Sequence, residues 1–163
     1  MELIPRKTVD EIWMRIGRST VTELNAIEEN FKKEQPYIHE FVEKFNQHLN
    51  PELAELTNNY TRTIWAIFRS TFPHAQSEIS TNQILDIVEK RELWLDKFDE
   101  FDIEKSYNFI EKQPEIKQIG VISYALDMLI EDIADNYALN KQDEAYLFWL
   151  LIVLVEIFDQ TKL

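Results

Sequence analysis

A chain of 163 residues, 45% hydrophobic and 12% aromatic, is the size of one ordinary domain and too rich in apolar side chains to stay disordered. Without cysteine it has neither disulfide nor thiolate chemistry, and its two glycines, Gly17 and Gly120, are too few for the tight turns of an all-β fold. A net charge of −13, from 30 acidic and 17 basic residues, argues against direct binding to nucleic acid or an anionic membrane and leaves a basic protein as the complementary partner.

The opening residues, Met1 to Lys7, hold no apolar stretch of signal-peptide length and no small-residue cleavage site, so a cytoplasmic location is expected. Thr8 and Glu11 have capping-box spacing, which predicts a short first helix ending at Gly17. Thr20 and Glu23 repeat the device. Leu24, Ile27 and Phe31 then recur at helical spacing up to Pro36. Proline is tolerated only in a first turn, so the stripe Ile38, Phe41, Val42, Phe45 and Leu49 belongs to a third segment.

Asn50-Pro51 reads as a cap followed by proline at the first helical position. From there Leu53, Leu56, Tyr60, Ile64, Ile67 and Phe68 form one apolar face up to Phe72-Pro73. Within it, Thr57 to Arg69 is rich in threonine and aromatics and is the stretch most open to a strand reading. His74 to Ser80 reads as a loop, with Ser80 or Thr81 capping a helix on which Ile84, Leu85, Ile87, Val88, Leu95 and Phe98 are expected to face inward, to about Phe101. A short helix is expected over Ile103 to Lys112. Pro114 opens another, bearing Ile119, Ile122, Leu126, Leu129, Ile133 and Tyr137.

Asn140 can cap the last helix, to Gln160. Its run from Ala145 to Val155 is apolar on every side over 11 residues, short of the about 20 a membrane span requires. Such a helix is normally surrounded by its neighbours. Residues 1–163 are therefore expected to form one all-α domain, a multi-helix bundle of seven or eight helices wrapped around the apolar C-terminal helix.

No glycine-rich phosphate loop, His-Glu-x-x-His pair or Gly-x-Ser-x-Gly elbow occurs. Asp127, Glu131 and Asp135 follow one another at four-residue intervals, a carboxylate ladder of the kind that can hold magnesium or manganese. His39 and Glu43 stand one turn apart, with His48 and His74 elsewhere. Arg62, Trp65 and Arg69 share the side of the fourth helix opposite its apolar face, and tryptophan and arginine are the types enriched at interface hot spots. If that side is an interface, replacing all three by alanine leaves folding stability nearly unchanged.

Glu156 is the only charged residue between Glu144 and Asp159, on the most apolar helix, and is expected to be at least partly buried. No basic residue lies within two turns on its N-terminal side, which favours an unpaired carboxyl. The competing arrangement is an ion pair with Arg62 or Arg69. The functional expectation is a non-enzymatic acidic interaction module of the antitoxin, immunity or adaptor type, binding a basic protein and needing no cofactor. A metal-dependent hydrolase built on the carboxylate ladder is the alternative, and self-association is left open.

Overall fold

The structure is a computed structural model describing residues 2–74, 77–96, 103–136 and 140–161, with the side chains of Ile103, Glu104, Ile133, Asp135 and Asn136 outside that description. Among the described residues there are eight helices and no strand: α1 (Arg6–Gly17), α2 (Val21–Glu34), α3 (Pro36–Asn46), α4 (Pro51–Thr71), α5 (Thr81–Leu95), α6 (Ile103–Lys112), α7 (Ile119–Asn136) and α8 (Lys141–Thr161). The expected extension of α5 to Phe98 and Phe101, and Tyr137 after α7, lie outside the described residues.

The caps explain most of these limits. Thr20 Oγ1 accepts from the Glu23 amide, Asn50 Oδ1 from the Leu53 amide and Asn140 Oδ1 from the Asp143 amide, while Ser80 and Gln83 close a reciprocal capping box. Three boundaries differ from the sequence reading. α1 starts at Arg6 with Pro5 as its N-cap, so the Thr8–Glu11 pair lies inside the helix; α3 stops at Asn46, short of Leu49; α7 starts at Ile119, after Pro114. At α7 the side chain of Gln118, next to the helix start, is taken up elsewhere, accepting from the Ile4 amide at 3.0 Å.

α8 is the axis of the bundle. Ala145 and every residue from Leu147 to Val155 are buried, and α4, α5 and α7 pack directly against the helix. Aromatic rings close the remaining sides: Phe31 of α2 meets Phe158 at 6.1 Å and Phe45 of α3 stacks on Trp149 at 6.4 Å. α1 lies across α4 and α7 on the outside of this layer.

α4 is enclosed on both sides, between α8 and the α1, α2 and α3 layer. Its threonines are buried without orphaned hydroxyls, because Thr57, Thr61 and Thr63 each donate to the carbonyl four residues earlier at 2.8 to 2.9 Å. The threonine-rich stretch open to a strand reading is therefore helix throughout. No helix among the described residues is long and apolar enough to cross a membrane.

Candidate functional site

The stripe Arg62, Trp65 and Arg69 is not an outward face. Trp65 is 4% exposed and its ring meets Phe31 of α2 at 5.7 Å, and Ala66 beside it is buried as well. The correction has a simple cause: α4 carries a second layer of helices on the side that the apolar stripe left free. Arg69, partly exposed, is bound to its neighbours, with Nε donating to Glu34 at 2.9 Å and Nη1 to the Pro73 carbonyl at 2.9 Å. Arg62 Nη2 donates to Asn59 at 2.9 Å. Arg62 Nε and Trp65 Nε1 are buried with no acceptor among the described residues.

Glu156 is paired, and neither proposed arginine is its partner. Arg91 of α5 holds the carboxylate with two parallel bonds, Nε at 2.6 Å and Nη2 at 2.5 Å, and the two side chains are 13% and 16% exposed. Scanning along α8 could not reveal this, because the cation comes from a helix 65 residues away in sequence. The guanidinium lies over the Trp94 ring at 4.2 Å, and Trp149 Nε1 donates to the Arg91 carbonyl at 2.7 Å. The hydrogen bonds to Glu156, against the opposing effect of burial, raise the Arg91 pKa above its ordinary value.

The carboxylate ladder is split between different surroundings. Asp127 accepts from the Arg6 guanidinium of α1 and from the Tyr107 hydroxyl of α6, Glu131 is exposed, and the side chain of Asp135 lies outside the described residues. Nearby, the Tyr124 hydroxyl donates to Asp10 at 2.6 Å, Tyr60 donates to Asp132, and the Trp13 ring sits between Tyr60 and Tyr124. Burial first, then the bond to a carboxylate, pushes both Tyr107 and Tyr124 up to about 12. These are neutral hydroxyls clasping α1 and α6 to α7.

His39 stands between Glu28 at 3.8 Å and Glu43 at 3.5 Å, and His48 lines an open recess of about 380 Å³ with Phe45, Asp143 and Tyr146. Among the described residues no three His, Asp or Glu side chains converge as a metal ion needs.

What sequence reasoning missed is the outer side of α5. Ile84, Ile87 and Trp94 are buried, but Leu85, expected to face inward with them, is exposed because it lies one residue (about 100° of helix turn) past Ile84, and Asp86, Glu89, Glu92, Leu93 and Asp96 are exposed too. Among the described residues none of these four carboxylates enters an ion pair. The i, i+3 and i, i+4 spacing of acids and leucines was readable, but the weak amphipathicity of α5 concealed which side faces out. No protein-family model, curated protein or solved structure matches this chain.

Proposed function

We propose that this chain is a cytoplasmic, non-enzymatic helical interaction module, of the antitoxin, immunity or adaptor type, that presents acidic surface to a basic protein. One observation carries the reading: Asp86, Glu89, Glu92 and Asp96 are exposed on α5 and, among the described residues, none of them enters an ion pair. Like charges three and four residues apart destabilise a helix by roughly 0.2 to 0.5 kcal/mol per pair, a cost that a cationic partner relieves. With a net charge of −13 the same field also speeds encounter with a basic surface.

Affinity capture from the source organism tests this. The tethered chain is expected to retain a basic protein at about 0.05 M salt and release it by about 0.5 M, as screening shortens the reach of surface charge. Retention of nothing, or of a partner indifferent to salt, would count against an electrostatic interaction module.

A further inference from the structure

We infer that the outer face of α5 is the docking surface and that its occupant is a basic amphipathic helix of the partner protein, an inference that rests on the interaction reading above. A single exposed leucine means little. Here Leu85 and Leu93 are 48% and 72% exposed on the same side of one helix, eight residues apart, or about 12 Å at 1.5 Å per residue. Glu89 lies between them along the face, Glu92 and Asp96 continue it, and Asp86 marks its edge.

That is the complement of an amphipathic helix: two apolar anchors at two-turn spacing, bordered by charges of a single sign. The inner side of α5 is already committed, with Ile84, Ile87 and Trp94 in the core and Arg91 bound to Glu156, so a second helix has only the outer side to lie on. Charge decides what that helix is. A second copy of this chain laid antiparallel on α5 would bring Glu89 and Glu92 against the same residues of its mate, and Asp86 near Asp96, carboxylate against carboxylate. Lys90, at the flank, enters no ion pair among the described residues and does not offset four carboxylates. The fitting occupant carries leucine-like residues seven or eight apart, flanked by lysine or arginine. One helix face buries little area, so the contact belongs to the weak, transient class of about micromolar affinity.

Fluorescence anisotropy of an 18-residue leucine-lysine amphipathic peptide, titrated with the full chain, tests this, with a scrambled peptide of equal composition as control. The amphipathic peptide is expected to bind at least tenfold more tightly than the scrambled one. Leu85→Ser with Leu93→Ser should weaken it at least tenfold, and Glu89→Gln with Glu92→Gln should weaken it and flatten its salt dependence. Glu52→Gln with Glu55→Gln, exposed at the start of α4, should leave it unchanged. All four α5 positions are at the surface, so circular dichroism should show each variant folded. Tight binding untouched by the α5 variants would overturn the surface assigned here while leaving the interaction module standing. Equal binding of the scrambled peptide would overturn the helical occupant. Binding of neither peptide at low salt would overturn both readings.

Discussion

Trp65 shows how much one side chain's environment alters its role. Buried against Phe31, it contributes to the core, so Trp65→Ala should cost roughly 3 to 5 kcal/mol in urea unfolding, and a loss under about 1 kcal/mol would return it to the surface. The expected indifference of folding to its removal is thereby reversed. Glu156 is reversed as well. With Arg91 bound through Nε and Nη2 in a largely buried site, Glu156→Gln strands a guanidinium and should cost about 3 kcal/mol, where an unpaired carboxyl would have made the change neutral or stabilising. The two glycines supply an internal control on backbone space. A methyl at Gly120 would sit 2.9 Å from the Ile4 carbonyl oxygen, so Gly120→Ala should destabilise by roughly 1 to 3 kcal/mol. Gly17 has nothing within 4 Å and ends α1 without a positive φ, so Gly17→Ala should stabilise by about 0.5 to 1 kcal/mol. Equal thermal shifts in the two variants would contradict this contrast.

At the scale of elements, the attachment of α1 and α6 to α7 is a polar seam of tyrosines, carboxylates and Arg6. Tyr107 and Tyr124 keep their protons up to about 12 in the folded chain, against an ordinary value near 10. Above pH 10 the unfolded chain therefore binds fewer protons than the folded one, and stability falls as pH rises from about 10 to 12; below that window the contribution is fully present. Absorbance titration near 295 nm should show Tyr107 and Tyr124 ionising late. Tyr107→Phe with Tyr124→Phe should shrink the late phase by the amplitude of two tyrosines, and an undiminished phase would assign it to other tyrosines. A second seam joins the loop before α5 to the helix layer: buried Gln35 donates to the Ser77 carbonyl at 2.8 Å and accepts from the Ile79 amide at 3.1 Å. Each of these contacts satisfies a backbone group that would otherwise be stranded on burial.

Across the whole molecule, α8 is shared by nearly every layer, which couples the helices into one unit. Trp13, Trp65, Trp94 and Trp149 report from α1, α4, α5 and α8, so tryptophan fluorescence samples widely separated elements. Thermal unfolding followed by fluorescence and by far-ultraviolet circular dichroism is expected to give coincident single transitions. Two separated midpoints would show that the outer helices melt apart from the α8 core.

The helix positions were legible because they depend on neighbours in sequence. Thr20, Asn50, Ser80 and Asn140 cap amides three residues on, and the apolar run of α8 could only be an enclosed helix. Periodicity alone does not say how many layers a helix touches. Trp65 looked outward because α4 has one conspicuous apolar stripe, yet buried threonines bonded to their own helix and a second helix layer cover its other side. Nor does spacing along one helix reveal a partner on another. Arg91 reaches Glu156, and Arg6 and Tyr107 reach Asp127, only because the bundle closes chain separations of 20 to 121 residues. Local sequence thus sets which segments become helices and that α8 lies inside, because caps and periodicity act between near neighbours; tertiary packing sets which charges meet a partner, and among the described residues it leaves four carboxylates on the outer side of α5 without an ion pair.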